Sequence, residues 1–338
     1  MHERIQTTFS RKFAPPSLQA STHSRHHRPA SILVVASYQS RRYCTVARHF
    51  VRLYNHVAMP ELPELEVVRD VLQRRLVGQT ISSAVLIGSA LVVRDLTNEG
   101  FARALTGARV DDVKRRGKFL VFTLADSKNT PLFLIINPKL TGRLQLADAK
   151  DKRMARTHFV FTLGNGQHLR YIDQKQMGQV YLTREPPAQA AIPDFASMGP
   201  EPLDMSFDEF KLRLKPFRGE IKGVLVRSEF VAGIGNAYAD EMLWAAKIHP
   251  YRKRTSLTAD EVQRLYDGMR STLIEATDNV RAAMGEAIHR EPRDFMNVHM
   301  KTGEPCPRCG TPIALVGANQ RITNFCRRCQ PGGLIKGM

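Results

Sequence analysis

Long apolar runs are missing from this sequence. Nothing in its 338 residues approaches the roughly 18 consecutive apolar residues that cross a bilayer, so it offers no candidate transmembrane helix. Cysteine is scarce. The chain has five, too few for the disulfide framework of a small secreted scaffold. No fixed-period repeat is visible, which excludes a solenoid. Acid is short relative to base: 32 Asp and Glu stand against 50 Lys and Arg, for a net charge of +18 and a pI of about 10.0. That imbalance points to a polyanionic partner, with nucleic acid ahead of an anionic membrane surface. The hydrophobic share of 43% is ordinary for a globular chain, and the length suggests two or three domains.

The shortage of acid is most extreme at the start. Residues 1–58 hold nine basic side chains and one acid, Glu3, with many Ser and His and no lasting amphipathic period. Arg-rich, Ser-rich and acid-poor is the composition of an organellar transit peptide. It is also what translation upstream of the true start produces. Either way this stretch, a disordered leader or a mis-assigned start, stands outside the fold, and the remaining chain is still basic.

The chain is organised around Met59-Pro60-Glu61-Leu62-Pro63-Glu64-Leu65-Glu66. If Met59 is the first residue and is removed, Pro60 carries a free secondary amine. Such an amine attacks a sugar C1′ or an aldehyde and forms an iminium, chemistry otherwise done by Lys, and Glu61 could move protons at the same centre. Inside a longer chain the same nitrogen is an unreactive amide. The local pattern also reads as a plain helix start. Pro63 suits the first turn, Glu64 and Glu66 suit the positive end of the dipole, and Leu65, Val68, Leu72 and Leu76 recur at helical spacing up to Gly78.

Residues 79–182 read as strands: Phe119–Leu124, Leu132–Ile136, His158–Leu163 and Val180–Leu182 are short apolar runs parted by turn residues such as Gly164-Asn165-Gly166. Such a succession suggests a β-sandwich or barrel. The Pro-rich, aperiodic stretch 184–204 reads as a linker. Helices follow, with capping-box patterns at Ser206–Glu209 and Thr258–Glu261 and a third start near Gly235-Asn236.

The most specific signal is Cys306-x2-Cys309-x16-Cys326-x2-Cys329, two knuckles spaced for one structural zinc closed by four thiolates. Arg308, Arg321, Arg327 and Arg328 lie in and around it. With little core of its own, such a finger depends on the metal to fold. Gly233-Ile-Gly-Asn236-Ala-Tyr238 would let a phosphate approach a helix N-terminus, or marks only a tight turn. Lys114-Arg115-Arg116-Gly117-Lys118 is either a phosphate-binding run or a solvated charge run.

Together, and in this order, these motifs resemble bacterial formamidopyrimidine-DNA glycosylases and the wider superfamily that includes endonuclease VIII, over residues 59–330. The resemblance implies an α+β multidomain protein: an N-terminal catalytic β-sandwich with flanking helices (59–183), the linker, a helix-two-turn-helix domain (205–298) and a zinc finger (299–330). It implies a bifunctional DNA glycosylase and AP lyase of base excision repair, a monomer acting on double-stranded DNA with oxidised bases or abasic sites, with one structural Zn2+. The damaged nucleotide would be flipped out of the stack. By resemblance Pro60 would be the nucleophile at C1′. Glu61 would protonate the ring oxygen and Glu64 would support the opened sugar. Lys118 would match the lysine assigned to proton donation in β-elimination, or at least contact a phosphate, Arg321 would serve the phosphates and δ-elimination, and Asn236 would hold a backbone phosphate.

The sequence also departs from the family pattern. Leu140 stands where a methionine usually fills the space left by the flipped base. Lys175 and Met177 replace the Arg and Phe that probe the opposite base, and Arg156 replaces a histidine, with His158 nearby. The stretch from Phe295 to Cys306 is short, so the loop that closes over oxidised guanine in the family is largely missing. The start sets the other readings. Initiation at Met59 implies a cytoplasmic, nucleoid-associated bacterial enzyme, whereas a cleaved leader implies a mitochondrion or plastid. If 1–58 persists, the alternative is a non-catalytic zinc protein that binds damaged DNA. A ribosomal or RNA-binding zinc protein is the weaker third reading.

Overall fold

The computed structural model describes residues 59–88, 91–317 and 322–332. The leader and Arg321 lie outside the described residues. Helix α1, Leu62–Leu76, buries Leu65, Val68, Leu72 and Leu76 as the helical spacing predicts, and Val67 and Val71 with them. Its Cβ-free stop is Gly78, at φ +84°, whose N–H donates to the Val110 carbonyl at 2.8 Å.

Nine strands follow, interrupted by the short helix α2, Phe101–Leu105. One sheet runs β1 (Ile81–Leu86), β7 (Thr157–Leu163), β8 (His168–Asp173), β6 (Gly142–Ala147), all antiparallel. The other runs β2 (Val93–Asp95), β9 (Gln179–Thr183), β5 (Pro131–Asn137), β4 (Phe119–Ala125), β3 (Arg109–Arg116), with only the β2–β9 pair parallel. Phe122, Leu134 and Leu182 of the second sheet meet Phe159, Phe161 and Tyr171 of the first in one core, which α1 also enters. This is the β-sandwich the strand succession predicted.

The five-stranded sheet is covered on both faces. Its inner face fills the sandwich, while Phe119, Ile135 and Tyr181 on the outer face pack against Ala190, Ile192 and Phe195 of the aperiodic 184–204 stretch. That is why β4 and β5 read as continuous apolar runs rather than alternating ones. Strand β3 gave no such signal, because six of its eight residues are charged. Only Val110 and Val113 are buried. They lie an odd number apart, and a bulge between Val110 and Asp112 turns both inward.

The helical half contains α3 (Phe207–Leu214), α4 (Ile221–Leu225), α5 (Asn236–Ala246) and α6 (Ala259–Met284). Thr258 and Glu261 form the full reciprocal capping box. At α3 Ser206 caps the Glu209 amide, and no return bond from Glu209 is present. Two turns join α4 to α5, and Phe210, Phe230, Tyr238, Met242 and Leu265 form a second core. The last turns of α6 leave that core. Val280 and Met284, with Ile288 beyond the helix, enter the sandwich core and tie the two halves together. The finger is a hairpin of β10 (Ala314–Val316) and β11 (Thr323–Phe325) beside the knuckles.

Candidate active site

The start of α1 and the start of α5 meet head to head. The Leu62 N–H donates to the Gly233 carbonyl at 3.0 Å. A Cβ on Gly233 would stand 2.9 Å from Leu62 Cβ, and one on Gly235 would stand 2.5 Å from both Glu61 Oε1 and Lys118 Nζ. So the two glycines exist to let these chain segments touch. The phosphate expected at this helix N-terminus is replaced by a carboxylate of the protein itself. Glu61, 2% exposed, accepts from the amides of Gly235 (2.6 Å), Ala237 (3.0 Å) and Tyr238 (3.4 Å). Charge at the positive end of a helix is stabilised there, and three donors fix its orientation.

Glu64 is also buried, so its role goes beyond the helix dipole. It accepts from the Glu61 backbone N–H at 3.0 Å, from Tyr238 Oη at 2.8 Å and from Arg293 Nε at 3.1 Å. Arg293 reaches further and donates through Nη2 to the carbonyl oxygen of Met59 at 2.6 Å. The same Nη2 pairs with Glu291 at 3.1 Å, and Glu291 also pairs with Arg143. Burial works against charge on Arg293, but Glu64 and Glu291 outweigh it and hold the guanidinium above its usual range. Burial pushes Glu291 up to about 7, against the pull of Arg293 and Arg143. Pro60 is buried between Glu64 and an apolar pocket walled by Leu65, Leu120, Ile136 and Tyr171. Lys118 comes in from the β3–β4 turn. It has no hydrogen bond or ion pair among the described residues, and burial, with Arg293 nearby, draws its ammonium below the usual lysine range while Glu61 opposes. The junction thus holds two fixed carboxylates, an unengaged amine and a prolyl nitrogen.

The basic run resolves unevenly. Arg115 pairs with Glu66 and Glu201, each at 2.6 Å, and Lys114 with Asp112 at 2.9 Å. Arg116 pairs with Glu201 at 3.2 Å and donates to the carbonyls of Met198 (3.1 Å) and Gly199 (2.6 Å). These arginines clamp the 184–204 segment to the sandwich. Lys118 is the residue of the run that reaches the site, while Lys114, Arg115 and Arg116 are ion-paired.

Two surface turns carry the residues singled out for DNA. Leu140 is half-buried at the β5–β6 turn, while Lys175 and Met177 are exposed on the turn after β8. Thr141 joins the turns: its Oγ1 donates to Asp173 and accepts the Lys175 N–H at 2.9 Å. Arg156 is exposed at φ +61°, its carbonyl taking the Asp173 N–H at 3.0 Å. Asn236 does not point freely outward. Its Nδ2 donates to the Ile322 carbonyl at 2.7 Å and docks the finger hairpin on α5. Lys222 completes that dock, pairing with Asp240 at 2.6 Å and donating to Thr323 at 2.9 Å.

The four cysteine sulfurs lie within 4.8 Å of one another. A tetrahedral ion with metal–sulfur bonds of about 2.3 Å needs sulfurs roughly 3.8 Å apart, so the set fits a closed metal site. The sole tryptophan, Trp244, donates its indole N–H to Cys306 Sγ at 3.4 Å and lies under Arg308, 4.0 Å from its ring centroid.

Residues 59–180 match the formamidopyrimidine-DNA glycosylase N-terminal domain, residues 198–286 the H2TH domain of the same proteins, and residues 303–332 the zinc finger found in FPG and IleRS. The formamidopyrimidine-DNA glycosylase of Symbiobacterium thermophilum is 39% identical over 280 residues, 81% of this chain and 90% of that protein. The chain belongs to the formamidopyrimidine-DNA glycosylase family. The protein of that name from Heliobacterium modesticaldum is 38% identical over 283 residues, covering 80% of this chain and all of that one. Among solved structures, Lactococcus lactis Fpg in complex with an abasic site containing DNA superposes with a TM-score of 0.70 at 31% identity, over 80% of this chain and 100% of that one. Its complex with a FAPY-dG containing DNA gives 0.70 at 32%, over the same shares.

Within this family site, sequence reasoning missed Tyr238 as a partner of Glu64, and Arg293 and Glu291 altogether. The Arg293-Asp294-Phe295 triplet after a helix carries no pattern by itself. The short stretch after it is pinned down. The backbone N–H groups of Asn297, Val298 and His299 all donate to Glu241, at 2.9, 2.8 and 2.8 Å. The chain is therefore tied to α5 on its way to the finger, and the pocket is lined by Ile288, Arg290 and Glu291 of the segment before it.

Proposed function

We propose that the protein is a bifunctional DNA glycosylase and AP lyase of base excision repair, with Pro60 as nucleophile. The observation that carries this is the junction at Pro60: Glu61 and Glu64 fixed by donors from the far half of the chain, and Lys118 left unengaged beside them. The amine requires removal of Met59. Initiation at Met59 in a bacterial cytoplasm is the simplest route to it, and a leader cut immediately before Pro60 is the other. Glu61 first takes a proton from the Pro60 ammonium; the freed nitrogen then attacks C1′ of a flipped nucleotide and displaces the damaged base, and Glu61 returns the proton to the ring oxygen as the C1′–O4′ bond breaks and the nitrogen lone pair closes the iminium. Glu64 holds the start of α1 in register through the Glu61 N–H. Lys118, its ammonium drawn down by burial, donates a proton in β-elimination or contacts a phosphate, and Arg321 serves the phosphates during δ-elimination.

DNA lies against the junction, with Leu140 and Met177 as apolar wedges into the stack and Lys175, Arg156 and Asn236 at the backbone or opposite base. Lys175 lacks the planar fork of Arg, so it discriminates the opposite base weakly. The short stretch from Phe295 to Cys306 leaves little chain to close over an oxidised guanine, so oxidised guanine is not the favoured substrate. Cys306, Cys309, Cys326 and Cys329 would hold a zinc ion, which supplies folding energy to the finger and no chemistry. The protein acts as a monomer on double-stranded DNA.

Borohydride trapping tests the reading. Protein beginning at Pro60 should form a covalent adduct with abasic-site duplex, and protein retaining residues 1–59 should not. An adduct of equal yield from the longer form would overturn the nucleophile. Binding without any adduct would leave a non-catalytic binder of damaged DNA.

A further inference from the structure

We infer that Arg293 is a positioning residue that acts through the nucleophile: its fixed charge makes the Pro60 ammonium give up its proton at neutral pH. The inference rests on Pro60 being the nucleophile. An amine that keeps its proton has no lone pair to attack with, so its free fraction limits the rate. Arg293 Nη2 lies 2.6 Å from the Met59 carbonyl oxygen. That oxygen joins the Pro60 nitrogen through a C=O and a C–N bond, so Nη2 stands no more than about 5 Å from the nitrogen. Covalent connectivity alone sets this limit, wherever the substrate atoms lie. Removing Met59 takes away the carbonyl and leaves the clamps on the guanidinium. Glu64 accepts from Nε at 3.1 Å and Glu291 pairs with Nη2 at 3.1 Å. The side chain is only 13% exposed, so water screens its charge little. A second positive charge at such a distance is disfavoured. Arg293 acts on Lys118 in the same sense, adding to burial and opposing Glu61.

The charges that face Pro60 come from every element packed around it. Glu61 and Glu64 follow it in the chain, and Lys118 comes from the β3–β4 turn. Arg143 comes from β6, and Glu291 from the segment after α6. The hydroxyls of Tyr171 and Tyr238 add dipoles, and Arg290 at the rim is exposed to water. Three carboxylates therefore meet Lys118, Arg143 and Arg293. With Arg293 in place the set balances, and a proton on Pro60 is surplus charge beside an apolar wall. Without it, Glu64 loses its guanidinium and the set lacks one positive charge, which a Pro60 ammonium would supply. When the proton leaves, the N–H bond breaks and its electron pair stays on nitrogen for the attack on C1′. The proton passes to Glu61, and Arg293 exchanges none.

The test uses protein beginning at Pro60 and a duplex with a natural abasic site. Single-turnover trapping with cyanoborohydride is followed against pH. No trapping by wild type at any pH defeats the Pro60 reading and this inference with it; the other outcomes bear on the inference alone. Arg293→Gln removes the charge, and the acid limb of its rate profile should move up by about one to two pH units. Trapping at neutral pH then falls about 10- to 100-fold and returns to near wild type above the shifted limb. Arg293→Lys keeps the charge and should leave the limb within about half a unit of wild type. A mere prop of the fold would lower the rate by one factor at every pH. A limb at the wild-type pH in Arg293→Gln, or one displaced as far in Arg293→Lys, overturns the inference. If Arg293→Gln does not fold, the wild type decides. Acylation of the Pro60 amine by a small reagent, read against pH by mass spectrometry, should show it titrating below the ordinary α-amine value of about 8. Titration at or above that value overturns the inference.

Discussion

The junction around Pro60 and the finger around Cys306 answer the same problem in opposite ways. Each gathers charges that repel one another. At the junction the protein supplies the counter-donors: three amides for Glu61, and a hydroxyl, an amide and a guanidinium for Glu64. In the finger, four sulfurs within 4.8 Å have Trp244 and a few backbone groups, far less than four thiolates require. The cation must come from outside. The basic side chains divide the same way. Arg115 and Arg116 are engaged by Glu66 and Glu201, whereas Arg327 and Arg328 are exposed, with no ion pair or hydrogen bond among the described residues. The junction is complete in itself, and the finger is built to receive partners.

The largest effect should follow from removing the outside cation. Cys326→Ser should lower metal affinity by more than about 100-fold, beyond the loss seen for outer-shell partners. Metal analysis should find the purified variant empty, and cleavage of abasic duplex should collapse with it. Emission from Trp244 should shift, because its indole N–H loses its partner on Cys306. A variant that kept its metal and activity would erase the contrast between the two regions.

Next comes the junction. Glu61→Gln keeps one oxygen for the Gly235 and Tyr238 amides, sets its NH2 against the Ala237 N–H, and carries no exchangeable acid. Turnover should fall about 100- to 10,000-fold, with affinity for tetrahydrofuran duplex near wild type. Loss of binding instead would show that Glu61 is only a strut. Tyr238→Phe should be milder. It strips one of three donors from a carboxylate that is 1% exposed, and should cost about 1–3 kcal/mol in urea unfolding. No change in stability would mean that the junction tolerates an incomplete set of donors.

The finger was legible in the sequence, and the junction only half so. A metal site of two knuckles is written in local spacing: Cys306 and Cys309, Cys326 and Cys329. The Pro60-Glu61 start was legible for the same reason. The donors to Glu64 come from Tyr238 and Arg293, 174 and 229 residues away, and no local pattern announces such a meeting. The Gly233-x-Gly235 motif fits either a phosphate cradle or a tight turn. Its glycines do serve a close approach, but to Leu62 and Glu61. In the fold, β4 and β5 were readable because both faces of their sheet are covered. Strand β3 was not, because its six charged residues hide two buried valines.

The smallest effect offers the finest test of the comparison, and it concerns charge alone. Each phosphate contact releases counterions, so losing one lowers the slope of log affinity against log salt by about 0.9 for duplex DNA. Three of the five N–H donors of Arg116 go to Glu201 and the carbonyls of Met198 and Gly199, which hold the guanidinium against the 184–204 segment. Arg116→Ala should leave the slope unchanged, whatever it does to stability. Arg327 and Arg328 face solvent with all their donors open. Arg327→Ala and Arg328→Ala should between them lower the slope by about one to two. Salt titrations on a tetrahydrofuran duplex read this directly, since no turnover intervenes. A reduced slope for Arg116→Ala, with none for the finger arginines, would reverse the assignment. The basic run would then be the DNA-binding surface, and the finger arginines only a solvated rim.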